Sequence, residues 1–183
     1  MSRLPAFEPD KLSADQRRVY DAIASGPRGG VRGPFLALIH VPELTDRIQH
    51  LGEYLRYNTS FAPRLSELAI LATARHYTCQ YEWQAHEPHA LKGGLAQETI
   101  DAIKEKRRPA HMQADETAVY DFTSELLRDG KVSDASYQRV TAAFGTRGAV
   151  ELAALIGYYI MIAMTLLAHD VGLPPGTAPP LKS

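Results

Sequence analysis

Apolar residues recur every three or four positions along most of this chain, which is the spacing of one face of an α-helix. In "SADQRRVYDAIASG", Val19 and Ile23 lie four apart. They stand between Ser13, a residue type that caps helix N-termini, and Gly26, a type that ends helices. Further segments with helical spacing begin at Pro42, Arg64, Ala96, Ala114 and Ser133. No segment alternates as a strand would, so the sequence predicts an all-α fold.

The last periodic segment, "LAALIGYYIMIAMTLLA" (152–168), is apolar throughout and approaches the length of a membrane-spanning helix. It lacks flanking Lys/Arg clusters, and small residues such as Ala153, Gly157 and Ala163 recur among the large ones, as they do where helices pack closely. We therefore expect a central helix buried by its neighbours or by another subunit, and no membrane partner.

The composition is that of an ordinary globular chain: of 183 residues, 45% are hydrophobic and 22% are charged, with a net charge of -1. This length favours a single domain spanning residues 1–183. There is no basic surplus to bind phosphate backbones, so we expect no nucleic-acid partner. The single cysteine excludes an intramolecular disulfide, and "MSRLPAFEPD" lacks the apolar run of a signal peptide. Both features favour a cytoplasmic location.

The stretch "CQYEWQAH" carries the candidate chemistry. Cys79, Glu82 and His86 are spaced three and four apart, so on a helix they form one stripe. Trp83 adds bulk beside Glu82 that would exclude water and raise the pKa of the carboxyl group, as a general acid requires. A Glu-His pair at this spacing is also common as a surface hydrogen bond, and a lone Cys is commonly a small buried hydrophobe.

Glu67 precedes Cys79 by twelve positions, or about 18 Å along one unbroken helix. The two regions meet only if the chain turns between them. "HYTC" offers the turn, with Thr78 as the cap of a new helix beginning at Cys79. Such a turn would bring Glu67 back toward His86.

Two other motifs suggest ligands. The loop "PRGGVRGP" presents Arg28 and Arg32, which would cradle an anionic substrate or simply form a solvated turn. "HEPH" offers His86 and His89, but Pro88 should disturb the helix between them, and no further His or Cys lies at close ligand spacing. We therefore expect no metal.

The run from Glu67 through Cys79 and His86 into "AHEPHALKGGLAQETIDAI" resembles the carboxymuconolactone decarboxylase / alkyl hydroperoxidase D superfamily. The motif of that superfamily is a Glu followed by C-x-x-C-x-x-x-H. "DETAVYDFTSELL", "VSDASYQRV" and "VELAALIGYY" extend the similarity over most of the range 13–169. The resemblance implies an all-α, alkyl hydroperoxidase D-like bundle assembled as a homo-oligomer, either a trimer or a hexamer.

The chain departs from this motif at Glu82, which occupies the place of the second cysteine. Hydroperoxide reduction by the dithiol route needs a second thiol to resolve the oxidised first one. The resemblance therefore implies the decarboxylase branch: cofactor-free acid-base chemistry on a small carboxylated lactone or related aromatic-degradation intermediate. In that reaction His86 is the principal proton donor or acceptor, Glu82 tunes it or shares the proton, and Glu67 orients the relay.

The expected substrate contacts come from Arg28 or Arg32, whose planar guanidinium suits a carboxylate, and from Cys79 and Trp83 on the central stripe. Two alternatives remain open. One is a thiol peroxidase that uses Cys79 with an external thiol, which requires an exposed thiol of low pKa. The other is a non-catalytic helical oligomer that binds a small ligand or a protein.

Overall fold

The computed structural model describes residues 2–5 and 7–182, and over these ranges the protein forms helices and no strands. A 3-10 turn at Pro9–Lys11 is followed by α1 (Ala14–Ser25), α2 (Pro34–Leu38), α3 (Pro42–Tyr57), α4 (Pro63–His76), α5 (Gln80–Lys92), α6 (Gln97–Lys104), α7 (Ala114–Asp129) and α8 (Asp134–Ala168). The predicted all-α fold is confirmed. The short α2 was not predicted, because five residues are too few to show helical periodicity.

The helix starts predicted at Ser13 and Ser133 are confirmed by their caps. The Ser13 hydroxyl accepts a hydrogen bond from the Gln16 backbone, and the Gln16 side chain accepts one from the Ser13 backbone, which completes a capping box. Ser133 caps α8 through the Ser136 backbone at 3.3 Å. α7 ends at Gly130, whose left-handed conformation (φ 68°) suits glycine.

Helix α4 is the centre of the bundle and packs against α5, α7 and α8. Every residue from Leu65 to Arg75 is buried, as expected for a helix enclosed on all sides. Small residues such as Ala69 and Ala74 allow close approach by the neighbouring helices. The interior position of α4 carries the Glu67 carboxylate into the core.

Helix α8 joins the two predicted C-terminal helices. Gly145 has non-helical angles (φ 69°, ψ 178°), so the element bends there. By length and composition α8 would be able to cross a membrane, but half of its most apolar window is buried inside the molecule. Leu152 and Leu155 lie fully in the core. α8 is therefore packed as the core helix of a helical bundle.

Glu151 fastens α8 to the loop between α3 and α4. Its carboxylate accepts hydrogen bonds from the Ser60 backbone (2.8 Å), the Ser60 hydroxyl (2.6 Å), the Tyr54 hydroxyl (2.7 Å) and Arg147 Nε (2.8 Å). Burial alone would raise the pKa of Glu151, but these donors lower it to about 2. The contacts fix the C-terminal end of α3 relative to α8.

The proline-rich tail after α8 is irregular and folds back on the start of α5. The Gln80 side chain both donates to and accepts from the Leu181 backbone, each at 2.9 Å, and Leu181 is buried. Arg75 Nη2 donates to the Lys182 carbonyl at 2.8 Å. The tail thus covers the N-terminal end of α5.

Candidate active site

The turn between α4 and α5 brings Glu67 and His86 together. The imidazole Nδ1 lies 2.6 Å from Glu67 Oε2, within a buried contact. Because a carboxylate accepts, Nδ1 carries the hydrogen and Nε2 is left to exchange protons with a ligand. The sequence predicted that a turn at "HYTC" would bring Glu67 back toward His86, and the structure has this contact.

The turn itself is built differently from the prediction. α4 ends at His76 and α5 begins at Gln80, so Cys79 and not Thr78 is the N-cap residue. Thr78 has a positive φ (51°), and its hydroxyl accepts from Arg75 Nη1 at 2.8 Å. The predicted Thr78 cap is wrong because that hydroxyl is directed to α4 instead of to the amides of α5.

His86 is held in its neutral form by its surroundings. The residue is buried, and burial lowers its pKa by more than the neighbouring Glu67 raises it. The Tyr159 ring meets the imidazole edge-on, with centroids 5.0 Å apart. A neutral imidazole with a fixed Nδ1–H is suited to accept a proton on Nε2.

The pKa of Glu82 is shifted in the opposite direction to that of His86. The residue is 2% exposed, and neither carboxyl oxygen has a hydrogen-bond partner among the described residues. Burial raises its pKa well above the ordinary value. Burial thus favours the protonated form of Glu82, which lies in the first turn of α5, and His86 lies one turn further along the same helix.

Glu82 and His86 both line a cavity of about 480 Å³. Its walls come from the α1–α2 loop, α2, the end of α3, α5 and α8. Those walls include Arg28, Arg32, Phe35, Arg56, Tyr57, Tyr81, Glu82, His86, His89, Tyr158, Tyr159 and Ile162. A small-molecule site of this size is partly enclosed and combines apolar walls with a few convergent polar groups.

The two predicted arginines lie at the cavity but differ in setting. Arg28 stacks on the Phe35 ring at 4.8 Å, and its Nη2 is buried without a partner among the described residues. Arg32 is exposed and donates to the Arg28 carbonyl at 3.0 Å. Arg28 is thus the inner cation and Arg32 the outer one.

Three cavity residues were missed by the sequence analysis: Arg56 on α3 and the Tyr158-Tyr159 pair on α8. Burial raises the pKa of both tyrosines, so both hydroxyls keep their protons. The two tyrosines could have been found from the sequence, because their hydroxyls stand in the apolar run 152–168 and need polar partners if that run is buried.

Gly52 is the reason that Arg28 and Tyr158 fit beside α3. A Cβ atom at this position would lie 2.1 Å from Tyr158 Oη and 2.4 Å from Arg28 Nη2. Arg56 follows Gly52 by one helical turn, on the same side of α3. The missing side chain therefore lets Arg28 and the Tyr158 hydroxyl meet over this turn of α3, and Arg56 lies one turn further along.

Cys79 and Trp83, both expected to contact substrate, are not among the residues that line this cavity. Trp83 is fully buried in the core, with Lys104 Nζ 5.9 Å from its ring. Cys79 is also buried and adjoins a second cavity, of about 570 Å³, beneath the C-terminal tail. Burial, reinforced by Glu82, raises the pKa of its thiol to about 12.

The "HEPH" segment remains helical, contrary to the prediction. α5 continues through Pro88 to Lys92, because an exposed proline removes one backbone donor while buried Trp83 and Ala90 hold the helix on the core. The His86 and His89 rings are 6.0 Å apart. In residues 2–5 and 7–182, no three His, Cys, Asp or Glu side chains form a group that would hold a metal ion.

Residues 42–125, which contain Arg56, Glu67, Glu82 and His86, match the carboxymuconolactone decarboxylase family. No curated protein matches the sequence.

Two solved structures share the fold. A Ralstonia eutropha protein, described as an alkylhydroperoxidase AhpD core and an uncharacterized peroxidase-related protein, has a TM-score of 0.72 and 17% identity, with 95% of this chain and 93% of that chain covered. An Agrobacterium tumefaciens protein of unknown function, named as a candidate antioxidant defence protein AhpD, has a TM-score of 0.65 and 14% identity, with 75% and 94% covered. At such identities the likeness shows the fold alone.

Proposed function

Because residues 42–125 match the carboxymuconolactone decarboxylase family and the fold is shared with an AhpD-like structure, we propose that the protein is a cofactor-free carboxy-lyase. Its substrate is a small carboxylated lactone or a related aromatic-degradation intermediate. The observation that carries the proposal is the neutral, unpartnered Glu82 carboxyl group beside the Glu67–His86 pair in one cavity. Two titratable groups whose pKa values are driven apart by their surroundings suit acid-base chemistry.

The reaction proceeds in two steps. Loss of CO₂ breaks a carbon–carbon bond, and the electron pair moves into the lactone as an extended enolate. The Glu82 carboxyl group then donates its proton to carbon, and the enolate becomes the product lactone. Glu82 takes this role in place of His86, the donor expected from the sequence, because burial favours the protonated form of Glu82 and the neutral form of His86. His86 takes a proton from solvent on Nε2 and returns it to Glu82, while Glu67 stabilises the imidazolium formed in passing.

The burial of Cys79 supports this reaction over a thiol route. A peroxidatic cysteine must reach its hydroperoxide as a thiolate, which a pKa of about 12 disfavours. Cys79 also lies outside the lining of the cavity that holds Glu82 and His86. A purely ligand-binding protein, in turn, has little need for a buried carboxyl group without a partner.

The pH dependence of turnover tests the proposal. The raised pKa of Glu82 favours the protonated acid, so activity on a carboxylactone should fall as the pH rises and Glu82 ionises. A reaction of the Cys79 thiolate would have the opposite slope, rising toward the thiol pKa of about 12. Initial rates should be measured on carboxylactones and, separately, on alkyl hydroperoxides with a thiol reductant. Activity that climbs steadily with pH would contradict the acid role of Glu82.

The protein is further proposed to be a cytoplasmic homo-oligomer, a trimer or a hexamer. The outer face of α8 is apolar and exposed, with Val150 63% exposed and Met164 and Leu167 more than 40% exposed. Soluble monomers seldom expose large contiguous apolar patches. Light scattering at micromolar concentration should therefore give a multiple of the 20.2 kDa chain mass. Val150→Asp should lower that mass, and a monomeric wild-type protein would refute the assembly.

A further inference from the structure

Two half-buried guanidinium groups face the cavity, and neither forms an ion pair within the described part of the chain. Arg28 and Arg56 are the arginines of ranges 2–5 and 7–182 whose side chains donate no hydrogen bond; the other twelve each donate at least one. Arg28 Nη2 and Arg56 Nε are shielded from solvent and have no acceptor. A buried donor on a charged group is costly unless a ligand satisfies it.

Both groups are held in place by aromatic rings instead of acids. Arg28 stacks on Phe35 at 4.8 Å, and Arg56 lies over the Tyr57 ring at 5.2 Å. Stacking of this kind orients a guanidinium while leaving its N–H groups free to bind an anion. The cavity therefore presents two positioned cations.

The nearby acids only partly offset these cations. Burial favours the protonated form of Glu82, and the Glu67 carboxylate, paired with a neutral His86, offsets part of the Arg56 charge. With Arg32 also lining the cavity, three guanidinium groups face this one carboxylate, which leaves an excess of positive charge. A ligand with two negative charges would balance Arg28 and Arg56.

The two arginines occupy different parts of the cavity. Arg28 and the Tyr158 hydroxyl converge over Gly52. Arg56, one turn further along α3, acts electrostatically on Tyr158 and Tyr159 and also reaches Glu67 and His86. Arg28 thus belongs to the Tyr158 side and Arg56 to the His86 side, where proton transfer would occur.

We propose that the cavity is a two-point anion site in which Arg28 with Tyr158 binds a permanent carboxylate and Arg56 binds a second negative charge beside His86. In the decarboxylation proposed above, on which this assignment of the second charge rests, that charge is the enolate oxygen formed when the carbon–carbon bond breaks. It disappears when the Glu82 proton is added to carbon. Arg28 therefore acts on bound substrate and transition state alike, and Arg56 acts mainly on the transition state.

Binding of two unreactive probes tests the site without reference to any reaction. Isothermal titration calorimetry should compare benzoate, with one carboxylate, and isophthalate, with two. Wild-type protein should bind isophthalate about tenfold or more tightly than benzoate, because a second charge-assisted pair forms. Arg28→Met and Arg56→Met should each weaken isophthalate by about tenfold or more and change benzoate by no more than about threefold, since either arginine suffices for one carboxylate.

Matched variants control the measurement. Arg47→Met removes the same side chain from an exposed part of α3, where Arg47 pairs with Glu43, and should leave both affinities unchanged. Arg56→Lys keeps the charge and should retain part of the isophthalate preference, and circular dichroism verifies that each variant is folded. Equal binding of the two probes to wild-type protein, or a preference that survives both methionine variants, would overturn the two-point site.

Kinetics then separate the roles of the two arginines. On a carboxylactone that is turned over, Arg28→Met should raise KM with little change in kcat, whereas Arg56→Met should lower kcat by about 10²- to 10³-fold. The reverse split would overturn the assignment of the enolate to Arg56. If the protein turns over a carboxylactone but does not prefer isophthalate to benzoate, the two-point site is wrong and the proposed reaction stands. If it prefers isophthalate but turns over no carboxylactone, the proposed reaction is wrong and the two-point site stands.

Discussion

His86→Ala and Glu82→Gln are each expected to lower turnover of a carboxylactone by about 10²- to 10⁴-fold, which is the usual contribution of a general acid or base. Gln is close in shape to the protonated Glu82 carboxyl group but has no acidic proton to transfer to carbon. Ala at position 86 removes the relay and leaves Glu67 without its partner. Cys79→Ser should cost much less, because the buried thiol has no covalent task in this reaction.

The comparison of these variants separates the two chemistries. Under a thiol peroxidase mechanism Cys79→Ser abolishes activity, since a serine hydroxyl forms no sulfenic acid. Glu87→Gln is the matched control: it lies on α5, pairs with Lys104 at 3.3 Å and is not among the lining residues. Kinetics on carboxylactones and on alkyl hydroperoxides with a thiol reductant provide the measurement. Hydroperoxide turnover that depends on Cys79 and is indifferent to Glu82 would sink the decarboxylase proposal.

Trp83→Ala is expected to lower the free energy of unfolding by about 3–5 kcal/mol, the usual cost of removing a large buried aromatic side chain. Trp83 is fully buried in the core, between α5 and its neighbours. Its Nε1 has no hydrogen-bond partner among the described residues, so the loss comes from packing. Urea denaturation followed by circular dichroism, at one fixed protein concentration, gives the value.

Trp83→Phe distinguishes a core residue from a substrate contact. Phenylalanine retains most of the apolar volume, so the variant should lose less stability than Trp83→Ala and should keep the wild-type KM. Because Trp83 is the only tryptophan, its fluorescence in the wild-type protein also reports whether ligand binding disturbs this part of the core. If Trp83→Phe raises the KM while stability is preserved, the result would support the expectation from the sequence that Trp83 contacts the substrate.

Local sequence determined most of the helices. The starts of α1 after Ser13, of α3 at Pro42 and of α8 after Ser133 were predicted directly, because capping depends on a few adjacent residues. The stripe of Glu82 and His86 on α5 was likewise fixed by helical spacing. Thr78 was assigned wrongly because two neighbouring residues competed for the same capping position, and a contact with Arg75 decided between them.

The tertiary structure decided which polar groups share a cavity. Arg56 and Tyr158 are distant in sequence from Glu82. No local pattern distinguishes Arg56 from a solvated residue, and the apolar run around Tyr158 indicates burial but not which cavity the hydroxyl reaches. Trp83 and Cys79, by contrast, lie in the predicted motif but do not line the cavity. Trp83 is buried in the core on which α5 packs, and Cys79 adjoins the second cavity beneath the C-terminal tail.

The sequence by itself thus determined the helices and the acid-base residue types, since helical spacing and caps are properties of neighbouring residues. Only the packing of α3, α5 and α8 around Gly52 decided the protonation states and the position of the arginines. The physical reason is that pKa shifts and unpaired charges arise from burial. Burial depends on which distant segments meet.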